Sequence, residues 1–119
     1  MLEHDRLISR VRDEVAPYFH EGLRSFADHP LVGDIRMVGL LGGLELVRDR
    51  KTGEPWPDGS GIGEYCSTQA LQRGLALRAN GNTMSLMPPL VITRAELDEV
   101  FRLVSQALDA TLAHYGSVA

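Results

Sequence analysis

Two residue types with reactive side chains are almost missing from this sequence. One cysteine, Cys66, occurs among the 119 residues, so no disulfide can form within the chain and a reducing compartment suits it. One lysine, Lys51, lies in a charged segment with nothing apolar to desolvate it. Because a catalytic lysine needs a desolvated or cationic pocket, Lys51 is a poor candidate for that role.

A surplus of basic charge is also missing. The net charge is −4 and the isoelectric point is near 5.5. Arg48, Arg50 and Lys51 form the densest basic group, but acidic residues interrupt and follow it, and we expect a solvated turn there. Since a nucleic-acid binder would carry a basic stripe, we expect no nucleic-acid partner.

Long apolar runs are absent as well. The longest of them fall far short of the roughly 20 residues of a membrane-spanning helix, and the N-terminus carries none. Apolar residues make up 44% and charged residues 24% of the chain, which is ordinary for a globular protein with one modest core. These features favour a cytoplasmic protein with no membrane partner.

Familiar catalytic and metal-binding patterns do not occur either. The histidines are scattered, with no pair four residues apart, so we expect no metal site. They are His4, His20, His29 and His114. The glycines at 59, 61 and 63 lack the lysine and the spacing of a phosphate loop, which favours a flexible loop before a helix. Cys66 falls on the apolar face of that helix, and we expect it in the core rather than as a nucleophile.

Both ends of the chain have the period of a helix. Near the C-terminus, Thr93 and Glu96 match a capping box, apolar residues then recur at three- and four-residue steps, and Gly116 can end the helix. Residues 1–30 carry another apolar face, with an interruption expected at Pro17. We expect part of that face to be exposed in the isolated chain and to favour self-association. The residues concerned are Ile8, Val11 and Val15.

The middle of the chain has the pattern of strands. Residues 35–47 predict two strands joined near Gly39 to Gly43, where the glycines allow a tight turn or a close approach of the backbone. Residues 48–61 predict an exposed loop. Trp56 is the one large apolar residue in that loop, where it could anchor the loop or meet a partner. A helix over about 62–73 follows, with Gly74 as its stop.

A hairpin completes the predicted fold. Its turn contains Asn80, Gly81 and Asn82, and Arg78 lies late in its first strand. A guanidinium on such a rigid support could bind a carboxylate in a bidentate fork, although the spacing alone is more typical of an ordinary surface arginine. The whole order predicts an α+β fold, with a small, mostly antiparallel sheet of about four strands and helices packed on one face.

Two blocks of the sequence carry a family resemblance. Residues 28–57 read DHPLVGDIRMVGLLGGLELVRDRKTGEPWP, and residues 70–101 read ALQRGLALRANGNTMSLMPPLVITRAELDEVF. Together they resemble the C-terminal small domain of class III, pyridoxal-phosphate-dependent aminotransferases, of the omega-amino acid and amine–pyruvate type. Met37 stands where that family often has glycine, a departure that we expect the fold to tolerate.

The resemblance implies a transaminase that moves an amino group from an amine or omega-amino acid to a 2-oxo acid such as pyruvate. It implies that Arg78 binds the substrate carboxylate. It places pyridoxal 5'-phosphate, the Schiff-base lysine and the cofactor contacts in a large domain, so we expect no catalytic and no cofactor-binding residue in this chain. Residues 1–30 would be an N-terminal helix linking from that missing domain, and residues 31–119 would be the small domain.

The resemblance also implies partners. These are the large cofactor-binding domain of the same enzyme, a second copy in a homodimer, and small amine and 2-oxo acid substrates. We expect the chain alone to be inactive. Two alternatives stay open: a free-standing binding or regulatory module with the small-domain fold, and a helper subunit that completes a separately encoded large domain.

Overall fold

A computed structural model describes residues 9–57, 59–89 and 92–116, which form a sheet covered on one face by helices. The strands are β1 (Val32–Val38), β2 (Leu41–Asp49), β3 (Glu54–Pro55), β4 (Arg78–Asn80) and β5 (Thr83–Leu86), and the helices are α1 (Ala16–Arg24), α2 (Ile62–Gln72) and α3 (Arg94–Tyr115).

The sheet has the strand order β1-β2-β5-β4, and every neighbouring pair is antiparallel. The short β3 pairs with the C-terminal end of β2. Along β2, the residues Gly42, Leu44 and Leu46 are buried and alternate with more exposed ones, as expected when helices cover one face of a sheet. The predicted α+β fold with a small antiparallel sheet is confirmed.

The turn between β1 and β2 is shorter than predicted. It consists of Gly39, with a φ of +56°, and Leu40. Gly42 and Gly43 lie within β2, so a tight turn is wrong for these two glycines, whereas the close backbone approach predicted as the alternative is present at Gly42. A Cβ on Gly42 would lie 2.4 Å from the Cδ1 atom of Leu23, which means that glycine lets α1 approach the sheet.

The segment 48–61 is also more ordered than predicted. Most of the segment is exposed, as predicted, but β2 continues to Asp49 and β3 pairs with it, so the prediction that the whole segment is a loop is wrong. Arg50 is exposed, but its guanidinium donates hydrogen bonds to the backbone carbonyls of Ala27 and Asp28 and ties the turn to the chain before β1. Trp56 anchors the segment, because its ring packs edge-on against Tyr115 with 5.5 Å between centroids.

The interruption predicted at Pro17 occurs one turn earlier. Residues Val11–Val15 form a π-helical turn, and α1 then begins with Pro17 in its first turn. Proline has no N–H and its ring conflicts with the carbonyl of the preceding turn, so a widened turn before it is the expected adjustment. A short 3₁₀ turn, Ser25–Asp28, follows α1.

The apolar face of the N-terminal helix is turned into the core. Val15, Phe19 and Leu23 are each at most 1% exposed. Val15 is a core residue, so the expectation that it would be exposed in the isolated chain is wrong. Ile8 lies outside the described residues, and so does the side chain of Val11.

The helices α1 and α3 pack against each other. Phe19 stacks on Phe101 of α3 with 6.2 Å between ring centroids. Tyr18 donates a hydrogen bond to Asp98, and this bond raises the pKa of the Tyr18 hydroxyl. The guanidinium of Arg94 lies 5.1 Å from the centre of the Tyr18 ring. The α1 segment thus shares one core with the rest of the domain, and the boundary at residue 30 stays a prediction.

The C-terminal helix has the predicted ends. The Thr93 hydroxyl accepts a hydrogen bond from the Glu96 amide at 3.1 Å, and the Glu96 carboxylate accepts one from the Thr93 amide at 3.0 Å. Gly116, with a φ of +75°, follows the last residue of α3. The capping box and the stop are confirmed. None of the helices in the described segments is long and apolar enough to cross a membrane.

Candidate functional site

The face of the sheet opposite the helices is the candidate site, and we call it the open face. In antiparallel strands, residues that pair across strands point to the same face. The partners of the buried positions in β2 point to the helices, so the residues between them point away. The open face carries Asp34, Arg36, Val38, Leu41, Gly43, Glu45, Arg78, Asn80, Thr83 and Ser85.

One row of the open face contains two arginines. Arg36 pairs with Gly43, Gly43 pairs with Ser85, and Ser85 pairs with Arg78, so the row crosses all four main strands. Three strand spacings separate its ends, a backbone distance of about 14 Å. The two residues between the arginines are small. The row therefore has a guanidinium at each end and only small side chains between them.

The two arginines differ in their surroundings. The Nε atom of Arg36 lies 3.2 Å from an oxygen of Asp34, and its Nη2 atom lies 3.4 Å from an oxygen of Glu45. Two carboxylates thus neutralise Arg36. Arg78 is exposed and has no hydrogen bond or ion pair with any described residue. Arg78 is consequently the guanidinium on this face that is available to an external anion.

The local fold explains where Arg78 points. It is the first residue of β4 rather than a late one, so that detail of the prediction is wrong. Ala79 lies near Gly63 in α2 and therefore faces the helices. Because successive residues of a strand point to opposite faces, Arg78 and Asn80 lie on the open face. The tight turn after Asn80 uses Gly81, whose φ is +60°. Arg78 thus stands on a rigid hairpin with its side chain towards solvent.

An apolar region lies beside the arginine row. Val38 is 78% exposed and Leu41 is 51% exposed, and these two residues pair across β1 and β2. Met87, which directly follows β5, is 74% exposed. A shallow hollow of about 160 Å³ lies among Arg36, Val38, Leu41, Gly43 and Ser85. The open face thus combines one available cation with exposed apolar surface.

A second hollow, of about 210 Å³, lies where the glycine-rich segment enters α2. Gly61, Gly63 and Asn82 line it. Among the lining residues that the structure describes, only Glu64 is charged. A carboxylate beside this helix start would repel a phosphate group, so these residues do not fit the phosphate of a cofactor. This agrees with the interpretation of the glycines as a loop rather than a phosphate site.

The remaining candidate groups are placed as follows. Cys66 is fully buried in the core, and its burial raises the pKa of the thiol. Lys51 is exposed at a turn, so no described residue offers an enclosed amine for a cofactor aldehyde. No group of three or more histidine, cysteine, aspartate or glutamate side chains in the described segments could hold a metal ion.

The histidines have structural partners where they are described. The Nε2 atom of His29 donates to Asp109 at 2.9 Å, while its Nδ1 atom accepts from the amide of Leu31. His20 donates to the carbonyl of Gly39 at 2.7 Å, and His114 stacks on Tyr65. His4 lies outside the described residues.

Three comparisons place this chain among known proteins. The profile of the family Aminotransferase class-III matches residues 1–108. The chain is 42% identical over 113 residues to the putrescine–pyruvate aminotransferase of Pseudomonas aeruginosa, a match that covers 95% of this chain and 25% of that protein. It is 35% identical over 105 residues to gamma aminobutyrate transaminase 1 of Solanum lycopersicum, covering 88% of this chain and 20% of that protein.

Solved structures agree with the sequence matches. The PMP-bound form of an aminotransferase from Vibrio fluvialis superimposes with a TM-score of 0.86 at 32% identity, covering 92% of this chain and 24% of that one. An omega transaminase from Pseudomonas jessenii in complex with PMP gives a TM-score of 0.89 at 31% identity, covering 99% and 26%. The chain therefore spans about a quarter of the length of these relatives.

Proposed function

Because this chain belongs to the class III aminotransferase family, we propose that it is the C-terminal small domain of a longer, pyridoxal-phosphate-dependent transaminase. The longer protein would move an amino group from an amine or omega-amino acid to a 2-oxo acid such as pyruvate. We further propose that it acts as a cytoplasmic homodimer. Two findings support the proposal: the chain belongs to this family, and it spans only about a quarter of the length of its relatives.

One observation supports a specific role for this domain. Arg78 is an exposed guanidinium without a partner among the described residues, on a rigid hairpin at one end of the open face. A guanidinium binds a carboxylate through two parallel hydrogen bonds, which fixes the orientation of the substrate as well as its charge. Arg78 would therefore bind the carboxylate of the amino acid or 2-oxo acid.

The neighbouring arginine does not compete for this role. Arg36 already has two carboxylates within 3.4 Å, so a substrate carboxylate placed there would meet negative charge. A guanidinium carries only hydrogen-bond donors, so Arg78 would bind and orient the substrate carboxylate by donating to it.

The electron-withdrawing cofactor, which supplies stabilisation of negative charge at the reacting carbon, would be held by another domain. The described residues of this chain do not fit it, because Lys51 is exposed and the hollow at the start of α2 carries Glu64. The chain by itself would therefore be inactive. Its contribution is to orient the substrate with Arg78 and to cover the active site from one side.

The test uses the longer polypeptide that carries this chain. Changing Arg78→Ala removes a charge-assisted fork, and we expect kcat/KM for substrates with a carboxylate to fall roughly 10- to 100-fold. The value for simple amines without a carboxylate should change little. Arg36→Gln is the matched control, because Arg36 is an exposed arginine in the same row of the sheet. Equal losses for both substrate types in Arg78→Ala would exclude the proposed role.

A further inference from the structure

The hairpin that carries Arg78 contains an asparagine followed directly by a glycine. Asn80 is the last residue of β4, and Gly81, with a φ of +60°, starts the turn to β5. Both residues are exposed. Within the described segments, neither the side-chain amide of Asn80 nor the backbone N–H of Gly81 has a hydrogen-bond partner. The two groups are therefore free to react with each other.

These groups are the reactants of asparagine deamidation. The nitrogen of the Gly81 amide attacks the Cγ atom of Asn80, a C–N bond forms, and the side-chain nitrogen leaves as ammonia with the proton of that amide. Water then opens the cyclic imide at either carbonyl carbon and leaves aspartate or isoaspartate, so the reaction needs no oxidant or reductant. Glycine favours the attack, because it has no Cβ to block it and allows unusual backbone angles.

The position of Asn80 relative to Arg78 gives this reaction a consequence. The two residues lie two positions apart in β4, so they point to the same face of the sheet, with about 7 Å between their Cα atoms. On that face, the carboxylate of Glu45 lies two strands away and is 3.4 Å from the Nη2 atom of Arg36. Deamidation would therefore place a new carboxylate beside a guanidinium that has no ion-pair partner among the described residues.

We propose that Asn80 is a site of spontaneous deamidation, and that its product weakens the binding of carboxylates at Arg78. Aspartate at this position carries a negative charge that attracts the guanidinium and competes with the substrate carboxylate. Isoaspartate adds the same charge and also inserts a carbon atom into the backbone at the end of β4. The effect on substrates rests on the proposed function of Arg78, whereas the modification itself does not.

The chain contains one other asparagine, which serves as an internal control. Asn82 is half-buried, and its Nδ2 atom donates a hydrogen bond to the backbone carbonyl of Trp56 at 3.0 Å. It precedes Thr83, whose branched and stiff side chain hinders attack by the backbone nitrogen. Both asparagines lie in the same tryptic peptide, residues 79–94, so one measurement follows both.

Mass spectrometry tests the modification site. The 119-residue chain is aged in mildly alkaline buffer, digested with trypsin, and compared with a sample that is digested at once. We expect the side-chain amide of Asn80 to be lost roughly tenfold faster than that of Asn82, because glycine offers no side chain that blocks the attack. Asn80→Gln should abolish this rapid loss, since the longer side chain would have to close a larger ring.

Kinetics of the longer polypeptide test the consequence. Asn80→Asp reproduces the charge of the product. We expect kcat/KM for carboxylate substrates to fall roughly 3- to 50-fold, the range that Coulomb's law gives over about 7 Å at dielectric constants of about 80 and 20. Added salt should reduce this loss, because exposed charges are screened, and the value for simple amines should change little. Asn80→Gln is the matched control, because it keeps an uncharged amide.

Ageing of the natural sequence gives the same test without an introduced charge, and it decides the matter if Asn80→Asp does not fold. The aged longer polypeptide should lose activity towards carboxylate substrates in proportion to the deamidated fraction of Asn80. Asn80→Gln aged in parallel should keep that activity. Equal losses in the two aged proteins would mean that deamidation of Asn80 does not affect the site at Arg78.

Two further outcomes would overturn the proposal. If the amide of Asn80 is lost no faster than that of Asn82, in this chain or in the longer polypeptide, the modification site is excluded. An unchanged kcat/KM for carboxylate substrates in Asn80→Asp, together with a selective loss in Arg78→Ala, would exclude the effect on Arg78. Equal losses for both substrate types in Arg78→Ala would count against the proposed function and the consequence that rests on it, while the mass spectrometry still decides the modification.

Discussion

Gly42 and Gly43 are neighbours in β2, yet the space around them differs completely. An added Cβ at Gly42 would lie 2.4 Å from the Cδ1 atom of Leu23 and 3.0 Å from the ring of Phe19, whereas one at Gly43 would meet its nearest atom at 3.7 Å. Because successive residues of a strand face opposite sides of the sheet, the first glycine serves the packing of α1 and the second faces the open side.

This contrast gives a paired prediction for stability. Gly42→Ala forces Leu23 and Phe19 to move in a filled core, and such overpacking costs about 1–3 kcal/mol. Gly43→Ala adds a methyl group in open space, so we expect a change between zero and a gain of about 1 kcal/mol. Urea unfolding of the two variants measures both free energies of unfolding. Similar values for the two would mean that α1 does not pack on Gly42 as described.

The capping box gives a second prediction. The Thr93 hydroxyl and the Glu96 carboxylate each accept a hydrogen bond from the other residue's amide. Thr93→Ala removes one of these bonds, and we expect a loss of about 1 kcal/mol in the free energy of unfolding. Glu96→Gln is the control, because glutamine keeps the pattern of the box. An unchanged urea midpoint for Thr93→Ala would show that the cap does not stabilise α3.

The sequence predicted the features that local chemistry determines. The capping box at Thr93, the stop at Gly116 and the helix before Gly74 depend on residues only a few positions apart, and the structure has all three. For Gly42 and Gly43 the sequence predicted a tight turn or a close backbone approach, and the turn was wrong although consecutive glycines usually mark one. The close approach is right for Gly42, but its partner Leu23 lies 19 positions away, and no local pattern identifies it.

The candidate site was predictable only in part. Arg78 was singled out from its place in a hairpin and from the family resemblance, and its role stays a prediction. The neutralisation of Arg36 and the row that joins it to Arg78 depend on strand order and register. A single sequence does not contain that information, because β2 pairs with β5 after a separation of about forty residues. The position of Gly43 between Arg36 and Ser85 also depends on strand register, so the sequence did not predict it.

The buried thiol gives a prediction for the pH dependence of stability. Burial raises the pKa of Cys66 above the ordinary value of 9.0, while a hydrogen bond with Thr111 acts in the opposite direction. The folded state therefore holds the proton more tightly than the unfolded state. The buried thiol therefore stabilises the folded state fully below the ordinary thiol pKa. This stabilisation is lost as the pH rises through the pKa of the thiol in the folded state.

We accordingly expect the free energy of unfolding to fall more steeply above pH 9 in the natural chain than in Cys66→Ala. The comparison of the two slopes removes the contribution of other groups that titrate in this range. Urea unfolding between pH 7 and 10.5 provides the slopes. Parallel curves for the two proteins would mean that the thiol titrates alike in the folded and unfolded states.

The last prediction is that this chain alone does not bind pyridoxal 5'-phosphate at a specific site. Tight binding of this cofactor needs an enclosed lysine, a carboxylate for the pyridine nitrogen and a cup for the phosphate. Lys51 is exposed at a turn, and the carboxylate of Glu64 lines the hollow at the start of α2. Calorimetric titration should therefore show only weak binding without saturation, and Lys51→Ala should give the same curve. The longer polypeptide, titrated in parallel, should saturate at micromolar cofactor. Saturable micromolar binding to the short chain that disappears in Lys51→Ala would show that this domain binds the cofactor itself. The proposal that another domain holds the cofactor would then be wrong.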